Sequence, residues 1–292
     1  MIESLYTQSM LASRMDVDVV YTVVLLLLVL LATISYTVRV FLKGRAHYSR
    51  VDKQGGSALL RKELMEAGYW ALQPMARMLI FFRVSPNAIS FTSLFFAVAA
   101  AVCLSVGHFG FGAGFATISA FMDTLDGIVA RETGVASEAG EVLDCAIDRY
   151  GEFLFLSGLI IYYRSIPTLL VLCLLALAGS YMVSYTSVLA GSLGVKPPNG
   201  SMRRPERALF LTLGALLSPI TISIFEIERP YGIAIAHPMI AALVFVGVIS
   251  NLSAVERFWQ TAKALRKDGT NRPAPPHEES AVDHESASVS QK

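Results

Sequence analysis

Charged residues are scarce in this sequence. Lys, Arg, Asp and Glu make up 16% of its 292 residues and hydrophobic residues make up 54%, whereas soluble domains carry about 25% charged residues. The formal net charge of +1 gives no indication of a nucleic-acid partner. Three cysteines, Cys103, Cys145 and Cys173, lie in apolar segments without paired spacing, so neither a disulfide framework nor a zinc site is indicated. The composition is that of an integral membrane protein.

Apolar runs long enough to cross a bilayer, which takes about 20 residues, occur seven times. The predicted spans are residues 19–38, 86–106, 111–131, 138–163, 167–190, 205–225 and 236–256. Residues 57–83 mix apolar and charged side chains, which predicts an amphipathic helix in the membrane interface, interrupted near Pro74. The sequence therefore predicts an all-α membrane protein: a six-helix bundle, an interfacial helix and an extra N-terminal transmembrane helix.

The chain divides into three parts by composition. Residues 1–56 predict a transmembrane anchor followed by a basic linker, and residues 57–267 hold the helical domain. Residues 268–292 are rich in Pro, Glu, Ser and His and cannot build a core, so we expect them to be disordered.

Basic residues orient the predicted bundle. They cluster before the second span, between the fifth and sixth spans, and after the last span, at Lys43, Arg45, Arg50, Lys53, Arg61, Lys62, Arg77, Arg83, Lys196, Arg203, Arg204, Arg207, Arg257, Lys263, Arg266 and Lys267. Cytoplasmic loops carry such an excess of Lys and Arg. We therefore expect the amino terminus outside, the carboxyl terminus in the cytoplasm, and the loop at residues 132–139 facing the cytoplasm.

Four carboxylates lie within two of these apolar segments: Asp123, Asp126, Asp144 and Asp148. An ionisable side chain at membrane depth costs about 2.5–3.5 kcal/mol on insertion scales, so the group needs a compensating partner. Arg131 and Arg149 are too few to pair with four acids. Oxygen-only ligand sets suit divalent metals, and a structural polar seam between helices is the alternative.

The spacing of these residues places them on two facing stripes. Asp123, Asp126, Gly127, Ala130 and Arg131 share one helix face, and Gly140, Asp144 and Asp148 share another. The short segment between them has Gly134 to end one helix and Ser137 to cap the next. We therefore expect two antiparallel neighbouring helices whose carboxylates converge. Their small residues let the two backbones, or a ligand, approach closely.

The string Asp-x2-Asp-Gly-x2-Ala-Arg-x8-Gly-x3-Asp-x3-Asp over residues 123–148 resembles the signature of the CDP-alcohol phosphotransferases at every fixed position. This family consists of integral membrane enzymes of phospholipid synthesis, and the helix pattern extends the resemblance over residues 57–267. The resemblance implies that a CDP-alcohol, usually CDP-diacylglycerol, reacts with the hydroxyl of an acceptor alcohol and that CMP leaves. It also implies a homodimer in a bacterial cell membrane.

The resemblance assigns roles to the motif residues. Asp123, Asp126 and Asp144 would bind metal, as two Mg²⁺ or Mn²⁺ ions, and Asp148 would be the general base while also touching a metal. Gly127, Ala130, Arg131 and Gly140 would form the wall around the cytidine and the phosphates, with Arg131 pairing with phosphate.

The acceptor is indicated less directly. Lys196, Arg203, Arg204 and Arg207 precede or begin the sixth span, where a phosphorylated acceptor would find positive charge, although any cytoplasmic loop carries such residues. Arg204-Pro-Glu206-Arg207 resembles the R-x-E-R of family members that use sugar phosphates. The run from Ser187 to Ala190 lacks the arginines that inositol-phosphate enzymes carry there, so glycerol phosphate or another polyol stays open.

Two other functions fit the same residues. A family-fold protein without catalysis would serve as a membrane scaffold, although all four acids are intact. A cation transporter would use the acid cluster as its binding site and would move ions without a CDP-lipid.

Overall fold

The computed structural model describes residues 2–44, 62–195, 200–225 and 237–267. Over these residues the chain is all-helical, as predicted. The eight helices are α1 (Ile2–Lys43), α2 (Lys62–Phe81), α3 (Pro86–Ser105), α4 (Phe109–Glu132), α5 (Glu138–Tyr162), α6 (Pro167–Ser192), α7 (Arg204–Phe225) and α8 (Pro238–Lys267). Most of the predicted basic linker, Lys196 and the predicted disordered tail lie outside the described residues.

Within the described ranges, six helices are long and apolar enough to cross a membrane, which makes the chain an integral membrane protein. They are Val17–Leu42, Pro86–Ser105, Phe109–Glu132, Pro167–Ser192, Arg204–Ile224 and Pro238–Arg266. Helix α5, the remaining predicted span, is not among them because charged residues such as Asp148, Arg149 and Glu152 interrupt its apolar sequence. It nevertheless packs within the bundle, mainly against α3 and also against α6.

Helix α3 lies between the two helices that carry the acidic motif. It packs extensively against both α4 and α5, whereas α4 and α5 contact each other only sparsely. Helices α5 and α3 approach closely at Gly158, where an added Cβ would lie 2.5 Å from the carbonyl oxygen of Ala101. A cleft therefore remains between α4 and α5 at the end where the loop joins them.

Helix α2 runs without a break through Pro74, so the predicted interruption there is wrong. Leu72 and Ala76, on either side of the proline, are buried and pack in one cluster with Leu125 and Val129 of α4. A proline inside a helix costs about 3 kcal/mol. Packing on both sides of Pro74 offsets that cost, and the sequence pattern of α2 alone does not reveal it.

The N-terminal helix α1 is joined to the bundle through a buried carboxylate. Asp18 is 0% exposed, and its two oxygens accept hydrogen bonds from the backbone N–H groups of Gly110, at 3.2 Å, and Phe111, at 3.0 Å. These groups belong to the first turn of α4, where the N-cap residue His108 makes no side-chain capping bond. Asp18 thus supplies from another helix the acceptor that a helix N-terminus needs.

Ring contacts extend this packing along α1. Tyr21 stacks on Phe111 with 4.4 Å between ring centroids, and the absence of a side chain at Gly114 leaves room for the Tyr21 ring. Towards the other end of α1, the ring of Tyr36 lies 5.6 Å from that of Trp70 on α2. Helix α1 therefore runs along α4 in the same direction and is part of the packed structure.

Candidate active site

The segment between α4 and α5 forms the turn that the sequence predicts. Helix α4 ends at Glu132, and Gly134 follows with a φ of +73°, a left-handed conformation that favours glycine. Helix α5 begins at Glu138, and the hydroxyl of Ser137 accepts a hydrogen bond from the N–H of Gly140 at 3.2 Å. Both predicted helix-end residues are confirmed.

Three of the four motif carboxylates converge across the cleft. Asp123 of α4 and Asp144 and Asp148 of α5 each offer an oxygen, and these oxygens lie within 4.8 Å of one another. All three side chains are half-buried. The predicted convergence of the two stripes is therefore present, although it brings together three acids and not four.

The fourth acid, Asp126, has its own partner from a third helix. It is 5% exposed, and its Oδ2 accepts a hydrogen bond from the hydroxyl of Ser90 on α3 at 2.5 Å. Ser90 is equally buried. The sequence did not indicate Ser90, because it lies 36 residues before Asp126 in an apolar span and no local spacing relates the two.

A cavity of about 690 Å³ opens beside the acids, which is within the size range of small-molecule sites. All four residues predicted to contact the nucleotide line it: Gly127, Ala130, Arg131 and Gly140. The guanidinium of Arg131 folds over Gly127, where an added Cβ would lie 2.9 Å from its Nη1. The small motif residues thus leave space for a ligand and do not serve close contact between α4 and α5.

Arg204, at the start of α7, extends to the acid cluster. Its Nη1 lies 3.3 Å from Oδ2 of Asp123 and pairs with Oδ2 of Asp148. The side chain of Arg204 is 31% exposed. Arg204, one of the residues predicted to bind the acceptor, therefore contacts two of the predicted metal ligands.

The other predicted acceptor residues have different surroundings. Arg203 is half-buried, and its backbone N–H donates to Oε2 of Glu206 at 2.9 Å. Arg207 is 0% exposed, and its guanidinium donates to both carboxylate oxygens of Glu152. Arg207 was expected to bind the acceptor. In the structure its guanidinium instead points into the bundle, because it bonds to Glu152.

Sequence reasoning missed two further charged residues near the site. Glu152 continues the stripe of Asp144 and Asp148 at the same four-residue interval, so the motif spacing contained the information needed to find it. Arg257 of α8 donates to the hydroxyl of Ser187 at 2.8 Å and to the carbonyl of Ser201 at 3.1 Å. It occupies the neighbourhood of Ser187, where the expected arginines are absent.

The acid cluster fits a divalent metal. Within the described residues no hydrogen-bond donor reaches the buried Oδ1 of Asp148, and an oxygen of this kind is costly to bury without a partner. The donor atoms are all carboxylate oxygens, which Mg²⁺, Mn²⁺ and Ca²⁺ prefer. Asp123, Asp144 and Asp148 are the residues that would hold such an ion.

Known proteins are similar to this chain in sequence and in fold. The chain is 28% identical to the phosphatidylinositol phosphate synthase of Mycolicibacterium smegmatis over 63% of this chain and 82% of that protein. It is 29% identical to the enzyme of the same name from Corynebacterium glutamicum over 70% of this chain and 90% of that protein.

Among solved structures, the phosphatidylinositol phosphate synthase of Mycobacterium tuberculosis in complex with manganese and citrate has a TM-score of 0.56 at 25% identity, covering 65% of this chain and 88% of that one. The same enzyme with CDP-DAG bound has a TM-score of 0.55 at 25% identity, covering 64% and 92%. A family model described as CDP-alcohol phosphatidyltransferase matches residues 83–249, which include the whole acidic motif and its cleft. This protein therefore belongs to the CDP-alcohol phosphatidyltransferases, membrane enzymes of phospholipid biosynthesis.

Proposed function

We propose that this enzyme transfers the phosphatidyl group of CDP-diacylglycerol to the hydroxyl of a phosphorylated polyol, with inositol phosphate as the first acceptor to test, and releases CMP. The observation that carries the proposal is the convergence of Asp123, Asp144 and Asp148 within 4.8 Å, beside a cavity of about 690 Å³. Similarity to enzymes named phosphatidylinositol phosphate synthases supports the choice of acceptor, and a similar structure with CDP-DAG bound supports the donor.

The CDP group enters the cleft between α4 and α5. Gly127 and Gly140 have no side chains to block the nucleotide, and Ala130 has only a methyl group. Arg131, on the same wall, pairs with a phosphate, because a guanidinium matches phosphate oxygens with two parallel hydrogen bonds. The diacylglycerol part stays in the bilayer beside the apolar helices.

Asp123, Asp144 and Asp148, together with Asp126, would hold two divalent ions, Mg²⁺ or Mn²⁺. When bound, such ions neutralise the diphosphate and stabilise the charge that develops on the departing CMP. Ser90 orients Asp126 through the 2.5 Å hydrogen bond, in the way that partners of metal-binding carboxylates fix their direction.

Asp148 acts as the general base. The acceptor hydroxyl oxygen forms a bond to the phosphorus that carries diacylglycerol, the bond from that phosphorus to the CMP oxygen breaks, and the hydroxyl proton passes to a carboxylate oxygen of Asp148. The position of Asp148 supports this role, because its carboxylate pairs with Arg204, the residue proposed to hold the acceptor phosphate.

Arg203 and Arg204, with Lys196 from outside the described residues, bind the phosphate of the acceptor. Arg204 is the strongest of the three candidates, because its guanidinium is partly exposed and already contacts the carboxylates of Asp123 and Asp148. An acceptor phosphate held there brings its neighbouring hydroxyl close to the general base.

The positive-inside distribution supports an outside amino terminus and a cytoplasmic motif loop, in a bacterial cell membrane. The cleft then faces the compartment that supplies soluble phosphorylated acceptors. We include a homodimer in the proposal because the family resemblance implies one.

The deciding experiment incubates purified protein with CDP-diacylglycerol, Mg²⁺ and a panel of alcohols: inositol phosphate, glycerol phosphate, inositol, glycerol and serine. Mass spectrometry identifies the lipid formed, and CMP release is measured in parallel. A phosphorylated polyol should give both products. Turnover with an unphosphorylated alcohol alone would overturn the acceptor assignment. Cation flux in proteoliposomes without CDP-lipid, or no CMP under any condition, would favour a transporter or a scaffold instead.

A further inference from the structure

Arg207 has the surroundings of a structural tie between helices and not of a phosphate ligand. Its side chain is 0% exposed, and Nε and Nη2 donate to the two carboxylate oxygens of Glu152 at 2.7 and 2.9 Å. Nη1 donates to the carbonyl oxygen of Met202 at 2.7 Å. All three guanidinium nitrogens are therefore engaged within the protein.

The Met202 carbonyl belongs to a strained turn directly before α7. Met202 has a φ of +59° and a fully buried side chain. A non-glycine residue keeps this left-handed conformation only where its surroundings enforce it. On the preceding residue, the carbonyl of Ser201 accepts from the Ser253 hydroxyl at 2.8 Å and from Arg257 at 3.1 Å.

This turn leads into α7, which begins with Arg204, the residue that contacts the acid cluster. Arg204 and Arg207 are three residues apart on α7, and Asp148 and Glu152 are four residues apart on α5. Arg204 pairs with Asp148, and Arg207 pairs with Glu152. Two ion pairs, one helical turn apart, therefore join α7 to α5. In the described part of the chain α5 packs mainly against α3 and α6 and α7 against α4 and α8. The backbones of α5 and α7 therefore do not pack closely against each other, and the two ion pairs bridge the space between them.

We propose that Glu152 and Arg207 are positioning residues that fix the 200–203 turn, and with it Arg204, on the acceptor side of the active site. This inference rests on the proposed function, in which Arg204 binds the acceptor phosphate. The pair touches neither the nucleotide cleft nor Asp126. Its loss should therefore weaken acceptor binding and leave the CDP-lipid and the metal bound as before.

The test compares Arg207→Gln, Glu152→Gln and the double variant with the wild type. Each single change should raise the acceptor KM about tenfold, because a small displacement of Arg204 misplaces the bound acceptor. The KM for CDP-diacylglycerol and the binding of Mn²⁺, followed by electron paramagnetic resonance, should change less than about twofold. The double variant should match the single ones, because the two residues act as a unit. Arg164→Gln is the matched control, since the guanidinium of this exposed residue bonds to the Ile161 carbonyl at the far end of α5.

Amide hydrogen exchange gives a readout that does not require turnover. Peptides covering residues 200–206 should exchange about tenfold faster in Arg207→Gln, whereas peptides of α4 should not change, because local opening reports the loss of local contacts. If Arg207→Gln does not fold, Arg207→Lys keeps the charge but not the three bonds and should give a smaller effect in the same direction.

The outcomes separate the two proposals. A wild type that makes no lipid with any polyol contradicts the proposed function, and the exchange measurement still decides the role of the pair. A wild type that turns over, with variants of unchanged acceptor KM or unchanged exchange, contradicts the positioning role alone. Equal rises in the KM of both substrates, or lost Mn²⁺ binding, would mean that the pair supports the whole site and would also overturn the inference.

Discussion

Replacing Asp18 with Ala tests whether α1 is an integral part of the enzyme. The change leaves two N–H groups of α4, that of the buried Gly110 and that of the half-buried Phe111, without their acceptor. Hydrogen bonds to charged groups contribute about 1.5–3 kcal/mol each. We take the lower figure for both bonds, because helices unfolded within a membrane also find other partners. The expected loss is therefore about 3 kcal/mol.

Thermal unfolding in detergent provides the assay. Cys173 is fully buried, so a fluorogenic maleimide reacts with it only on unfolding, provided that Cys103 and Cys145, which are more accessible, are replaced by Ser. For a domain of this size about 1 kcal/mol shifts Tm by about 2–4 °C, so Asp18→Ala should lower Tm by about 6–12 °C. Asp18→Asn keeps an oxygen acceptor without charge, so its Tm should lie between that of the wild type and that of Asp18→Ala.

Thr33→Ala is the matched control on the same helix. Thr33 is exposed, and its hydroxyl donates to the Val29 carbonyl within α1. If Asp18→Ala has the same Tm as Thr33→Ala, then α1 is held to the bundle by apolar contacts, and Asp18 does not stabilise the protein by capping α4.

Three further predictions concern the site. Asp148→Asn should lower CMP release by at least about 10²-fold, the lower end of what a general base contributes, with Tm unchanged; near-normal turnover would remove the general-base role. Ser90→Ala should weaken Mn²⁺ binding about 10–100-fold by freeing Asp126, measured by electron paramagnetic resonance, whereas Ser90→Thr should restore it. Arg204→Gln should raise the KM of a phosphorylated acceptor at least about tenfold, and an unchanged KM would point to an unphosphorylated alcohol.

The acidic motif was predictable because its information is local. Helical periodicity relates Asp123 to Asp126 and Asp144 to Asp148, and Gly134 and Ser137 mark the turn between the helices. Hydropathy likewise located the spans to within a few residues for most helices, except that α1 and α8 extend well beyond the apolar core of their sequences.

The contacts that position the site were not predictable, because they join residues distant in the sequence. Ser90 meets Asp126 across 36 positions, and Asp18 meets Gly110 across 92. Neither pair has a spacing that a single sequence makes visible. Arg207 is buried because it bonds to Glu152 on another helix. The basic segment from Lys196 to Arg207, which suggested a ligand site, therefore includes one arginine whose partners lie within the protein.

The packing of α3 between α4 and α5 has a consequence for ion selectivity. The two halves of the acid cluster lie on helices that each pack extensively against α3 and contact each other only sparsely, so their separation depends on α3. Mg²⁺ requires oxygens at about 2.0–2.1 Å and Ca²⁺ accepts about 2.3–2.6 Å. An ion held between Asp123 and the carboxylates of α5 would therefore be selected in part by how α3 packs against both helices, and not by the carboxylates alone.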